Sequence, residues 1–181
     1  MEPLLRTLLT IPEVAEAAAD LRQGLAPVAI TGLSPIHRAQ IAAALALETG
    51  RPLVMVCAEE GEAARLMGDL QSLTARQPLS LSGAELYIRP GAVTSREWEH
   101  RRIAALYDLA EGRGKVVVAT AEGLLQKVPE RERFRNMALT LRQGERVDLE
   151  ALPGRLVAAG YTRCDQVEGP GQFALRGGIL D

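Results

Sequence analysis

Lys115-Val116-Val117-Val118-Ala119-Thr120-Ala121-Glu122-Gly123 is the stretch on which the fold turns. Three consecutive valines make an apolar run of strand length that does not alternate with polar residues. A strand exposed on one face alternates, whereas a strand covered on both faces does not, so this run predicts the middle of a parallel sheet. Thr120 follows at once and is suited to cap a short helix, read here as reaching Val128. Working backwards, Leu53 to Cys57 is a second uninterrupted apolar run. Pro27 to Thr31 and Leu86 to Ile88 are shorter ones. Between these runs lie segments of helical period: Pro35–Glu48, with Ile36, Ala39, Ile41, Ala43 and Leu45; Glu60–Leu73, with Ala64, Leu66, Met67 and Leu70; and Ser95–Ala110, with Trp98, Ile103, Leu106 and Leu109. Gly50 ends the first of them. Strand and helix alternate four times, which predicts a doubly wound α/β domain with a mostly parallel sheet over residues 25–128. Two short helices precede it in residues 1–24, with Pro12 at a helix start and Gly24 at a stop.

Past Val128 the pattern changes. Residues 129–136 are charged, with Glu130, Arg131, Glu132, Arg133 and Arg135, and read as a linker or a solvated helix. The alternation of sign favours a solvated face over a phosphate track. Residues 137–181 read as the start of a smaller α+β domain. A strand is expected at Met137–Leu141 and a helix from Asp148 to Ala159, interrupted at Pro153-Gly154 and stopped by Gly160. Short strands follow at Arg163–Val167, Phe173–Leu175 and Gly178–Leu180 around a Gly-Pro-Gly turn. The sequence stops directly after an apolar, strand-like stretch, so this second domain is expected to be truncated.

Composition narrows the class. The 181 residues are 47% hydrophobic, 24% charged and 3% aromatic, with a formal net charge of -2. That is an ordinary globular composition with an aliphatic core. The near-neutral charge supplies no general attraction to nucleic acid. Arg96, Arg101 and Arg102 with His100 form the best basic cluster, diluted by Glu97 and Glu99, and leave DNA contact there as a weak alternative. No apolar run approaches the roughly 20 residues of a membrane span, and no signal peptide is evident. Cys57 and Cys164 are read as reduced cytosolic thiols. With His37 and His100 they make no metal-ligand set.

The turn after Pro27–Thr31 occupies the place of a phosphate-binding loop. Laid on G-x-x-x-x-G-K-[ST], Gly32 matches the first glycine, His37 falls on the second, Arg38 on the lysine and Ala39 on the magnesium-binding hydroxyl. Pro35 removes a backbone donor, His37 brings a Cβ, Arg38 differs from lysine in shape, and Ala39 has no oxygen. The expectation is a P-loop topology without P-loop chemistry. Glu59-Glu60 follows the second strand where a metal-binding acid could stand, but such a pair more often suits a helix N-terminus.

The segment Gly160-Tyr161 through Asp165-Gln166-Val167, Gly171-Gln172-Phe173 and Arg176-Gly177-Gly178-Ile179-Leu180-Asp181 resembles the N-terminal module of bacterial transcription-repair coupling factors. There the family reads G-Y-x-x-x-x-x-V-x-x-x-G-x-[FY]-x-x-R-G-x-[IL]-[LIV]-[DE]. Gly32-Leu33-Ser34, Glu48-Thr49-Gly50-Arg51-Pro52-Leu53, Ser95 to Arg102, and Val117-Val118 to Leu124-Leu125 agree as well. The same module is similar to the N-terminal part of the excinuclease protein UvrB, which keeps an intact nucleotide loop. The resemblance implies a helicase-like first domain that has lost that loop, and a second domain carrying a docking face for the excinuclease protein UvrA, with Arg176 in that face. For the parent protein it implies an ATP- and magnesium-driven DNA translocase of the cytoplasm that displaces stalled RNA polymerase through other domains. For this module it implies no catalytic residue, no cofactor, no metal and no membrane. The alternative is a fragment of the ATP-dependent UvrB itself. Pro153-Gly154 departs from the family's smoother helix. Without the resemblance, Arg176 reads as a solvated edge arginine or one paired with Glu168 across a hairpin.

Overall fold

A computed structural model describes residues 1–83 and 96–181, the side chains of residues 96 and 97 excepted. These fall into two compact units. The first takes residues 1–83 together with Arg101–Lys127, and the second takes Val128–Asp181 together with residues 96–100.

The first unit contains α1 (Glu2–Leu8), α2 (Pro12–Gln23), α3 (Pro35–Thr49), β1 (Leu53–Cys57), α4 (Glu60–Thr74), β2 (Leu79–Leu81), most of α5 (Arg96–Ala110), β3 (Val116–Thr120) and α6 (Ala121–Leu125). Pro12 and Pro35 sit in the first turns of their helices, where a missing N–H costs nothing. Gly24 and Gly50 close α2 and α3 in the left-handed conformation at φ 79° and 67°, a region that glycine enters without a Cβ penalty.

The sheet has three parallel strands in the order β1-β3-β2. β3 is central and all five of its residues are buried, as its unbroken apolar run predicts. Val116 and Val118 face one side and meet Ala39, Ala43 and Ala44 of α3 and Ala63, Leu66, Leu70 and Leu73 of α4. Val117 and Ala119 face the other and meet Leu81, with Ala105, Leu106 and Leu109 of α5. Mixed α/β architecture with a parallel sheet therefore follows from the sequence. β1 is less protected. Its side chains alternate, and Val54 and Val56, on the same face as Val117 and Ala119, are each 55% exposed.

Several expectations are corrected. Pro27–Thr31 is not a strand but an irregular, mostly exposed segment. β2 at Leu79–Leu81 is not evident along the chain, because three residues after Pro78 are too few for a period to show. The strand expected at Leu86–Ile88 lies outside the described residues. α6 stops at Leu125 instead of reaching Val128. On α4 the inward alanine is Ala63, and Ala64 is exposed. On α5 Ile103 is 53% exposed while Arg102 is 9% exposed.

The second unit holds α7 (Arg131–Met137), α8 (Leu152–Ala158), β4 (Thr162–Arg163), β5 (Gln172–Phe173), β6 (Leu175–Arg176) and β7 (Ile179–Leu180). α7 buries no residue, so its charges are solvated. No strand forms at Met137–Leu141, where an apolar run is too short to decide its own structure. The helix expected from Asp148 begins at Leu152 instead. Asp148 Oδ1 accepts from the backbone N–H groups of Glu150 and Ala151, at 2.9 and 3.1 Å, and Pro153 lies in the first turn of α8. What reads as an interruption is thus a helix start. Leu152, Leu156 and Phe173 form the unit's small core, with Leu139 and Leu180 against it. β4 pairs with β5 in parallel, and β6 with β7 antiparallel.

Candidate functional site

Three places bear on function: the turn before α3, the carboxyl end of the parallel sheet, and the hairpin of β6 and β7. At the first, Gly32 has φ 76°, and Ser34 precedes α3 in extended conformation without a side-chain cap. His37 is exposed. Arg38 donates to Glu62 Oε1 on α4 at 3.4 Å, and its side chain is 55% exposed. Ala39 is fully buried among the residues between α3 and the sheet. Of these positions, Arg38 is engaged by Glu62 and Ala39 is packed into the core. A shallow groove of about 320 Å³ lies beside them, lined by Ser34, Pro35, Ile36, Glu62, Arg65, Leu66 and Asp69. Its wall carries two carboxylates, Glu62 and Asp69, and one arginine, Arg65, and Glu62 is already paired with Arg38.

In open α/β sheets ligands sit outside the carboxyl ends of the strands. Here that end is filled by the chain's own polar groups. Thr120 closes β3, and its Oγ1 accepts from Gly123 N at 3.1 Å, capping α6 as expected, and from Gly83 N at 2.9 Å. Gly83 N also donates to Glu60 Oε1 at 3.0 Å. Arg102 reaches in from α5 and donates to Ser82 O at 3.2 Å and to Gly123 O at 2.9 Å. Its burial lowers the guanidinium pKa from the ordinary range by desolvation. Gly123 is required by close approach, since a Cβ there would lie 2.0 Å from Leu81 O. Arg102 is thus a structural clasp and not part of a basic surface, which takes one member out of the cluster that suggested DNA. The only hint of this in the sequence is its spacing of three from Ala105, on the inward side of α5.

The hairpin presents the opposite arrangement. Gly177 and Gly178, at φ 54° and 88°, make a two-residue turn, and both positive values suit the turn that matches strand twist. Arg176 lies at the end of β6 with a side chain 66% exposed, and its Nη2 donates to Asp181 Oδ2 at 3.4 Å. The expected pair with Glu168 does not form. Instead the Glu168 backbone N–H donates to Gln172 Oε1 at 2.8 Å. Ala174 and Asp181 exchange backbone hydrogen bonds at 3.2 and 3.0 Å, which holds the hairpin base.

Burial pushes the Cys57 thiol above its usual range, with Glu62 and Glu60 adding to the effect, while Cys164 is half-buried. Among the described residues, no group of three His, Cys, Asp or Glu is placed to hold a metal ion. No helix of the described residues is long and apolar enough to cross a membrane.

Comparison with known proteins agrees with the motif ending at Asp181. Residues 139–181 match the family model described as the UvrB interaction domain. Over 162 residues the chain is 32% identical to the transcription-repair-coupling factor of Bacillus subtilis (strain 168), an alignment covering 89% of this chain and 14% of that protein. Over 165 residues it is 30% identical to the transcription-repair-coupling factor of Staphylococcus aureus (strain USA300), covering 90% of this chain and again 14% of the relative. The chain thus spans a small part of the length of the curated relatives that it matches. Over nearly all its own residues the chain is similar to one segment of the transcription-repair-coupling factors, and residues 139–181 are similar to the UvrB interaction domain.

Proposed function

We propose that this chain is the UvrB-like, N-terminal module of a transcription-repair coupling factor, and that it docks the excinuclease protein UvrA through the face bearing Arg176. The observation that carries the reading is a glycine-turn hairpin, inside the region matched as the UvrB interaction domain, that leaves an arginine two-thirds exposed. A planar guanidinium so placed can take a partner carboxylate through two parallel hydrogen bonds. In this reading the first unit is a helicase-like fold without nucleotide chemistry. The pairing of Arg38 with Glu62, the burial of Ala39 and the clasp at the sheet end support it. The parent would be an ATP- and magnesium-dependent translocase on double-stranded DNA, acting on stalled RNA polymerase in the cytoplasm through other domains. The module itself would have no activity, cofactor or metal.

The test is the affinity of the full-length chain for purified UvrA. Arg176→Ala should weaken it by about thirtyfold, the effect of truncating a desolvated interface arginine worth about 2 kcal/mol. An unchanged affinity would sink the assignment. The description of residues 139–181 fits a second reading, the excinuclease protein UvrB itself. That reading requires saturable ATP binding at residues 32–39, and micromolar affinity for a fluorescent ATP analogue would establish it at the expense of the first.

A further inference from the structure

The hairpin sorts its side chains by the two-residue period of a strand. Leu175 stands opposite Leu180, and Leu180 packs on the core of Leu152, Leu156 and Phe173. Arg176 stands opposite Ile179 on the other face. Ile179 is 67% exposed. Directly opposed residues have Cβ atoms about 5 Å apart, so the guanidinium and the isoleucine side chain form a single patch. β-branching suits a strand, but threonine would serve that end equally without placing an apolar side chain in water.

We infer that Ile179 is the second anchor of the docking face. Arg176 takes a carboxylate of the partner, and Ile179 takes a small apolar side chain beside it. The partner surface is therefore an acidic residue with an apolar neighbour one strand spacing away, a pairing that selects against a purely acidic surface. The charge of Arg176 calls for the acid, and the register across the turn fixes where the apolar contact must lie. The Gly177-Gly178 turn and the paired backbone bonds between Ala174 and Asp181 set both anchors before binding, so little ordering is left to do. The pair of Arg176 with Asp181, at 3.4 Å and open to solvent, aims the guanidinium and is weak enough to yield to a partner. This inference rests on the docking reading above.

The experiment titrates the full-length chain with UvrA at several salt concentrations, comparing Ile179→Thr with Arg176→Ala. Threonine keeps the β-branch and so the hairpin. Ile179→Thr should weaken binding about fivefold and leave the salt dependence as it was, whereas Arg176→Ala should weaken it more and flatten that dependence. If Arg176→Ala weakens binding and Ile179→Thr does not, the second anchor is refuted while the docking reading stands. If neither changes the affinity, both fall. A lower thermal midpoint of the free Ile179→Thr chain, or loss of self-association, with unchanged affinity for UvrA would show that the isoleucine is covered by the chain itself or by a second copy, and would also overturn the inference.

Discussion

Arg102 and Arg176 are the same residue type in opposite surroundings. Arg102 is 9% exposed and spends its donors on two backbone carbonyls at the carboxyl end of a sheet. Among the described residues, Arg176 has one long, solvated pair at the end of a hairpin. Charge alone says nothing about which arginine is left open to solvent. What decides is whether the surrounding backbone has already claimed the guanidinium. The first unit closes over its polar groups, and the second offers one.

That contrast can be broken in graded steps. The largest effect is expected from Gly123→Ala, because the new methyl would meet the Leu81 carbonyl and force the clasp apart. Urea denaturation should show a loss of about 3 kcal/mol. Arg102→Met keeps the aliphatic stem and removes the donors, stranding the carbonyls of Ser82 and Gly123. A loss of about 2 kcal/mol is expected in the same measurement, and a loss near zero would mean that the clasp is ornamental. Arg176→Ala should lie within about 0.5 kcal/mol of the parent, since its solvated pair carries little stability. A larger loss would erase the distinction between the two arginines. The smallest effect concerns pH. The folded chain holds the Cys57 proton more tightly than the unfolded one, whose thiol has the ordinary pKa of 9.0. The stability this brings is whole below that value and is lost as pH rises through the folded one. The urea midpoint should therefore fall more steeply above about pH 9 for the parent than for Cys57→Ala.

Much of the first unit is legible from local rules. Pro12, Gly24, Pro35 and Gly50 punctuate helices where their backbone preferences dictate, and the valines of β3 announce a strand covered on both sides. Failures arise where tertiary structure overrides a short pattern. Pro27–Thr31 has the apolarity of a strand but no neighbour among the described residues to pair with, and Met137–Leu141 is in the same position. Arg102 is hidden from a hydrophobicity count because its burial is compensated by hydrogen bonds made far away in sequence. Asp148 and Pro153 mislead in the opposite direction, since together they start a helix that a simple count reads as broken. Of the candidate site, the residue type and turn at Arg176 can be read along the chain. Its Asp181 partner and its Ile179 neighbour need the register of the hairpin.

The bare flank of β1 carries a consequence for the colloidal behaviour of the chain. A strand whose outer backbone groups have no described partner, and whose Val54 and Val56 face water, is a template on which another extended chain can grow. Leu53 to Cys57 contains no charge to discourage this. The protection comes instead from its borders, Arg51 and Pro52 before it and Glu59 and Glu60 after it, which act as gatekeepers against cross-β stacking. Neutralising Arg51 and Glu59 would turn a quiet edge into a seed for aggregation while leaving the bond between Glu60 and Gly83 in place.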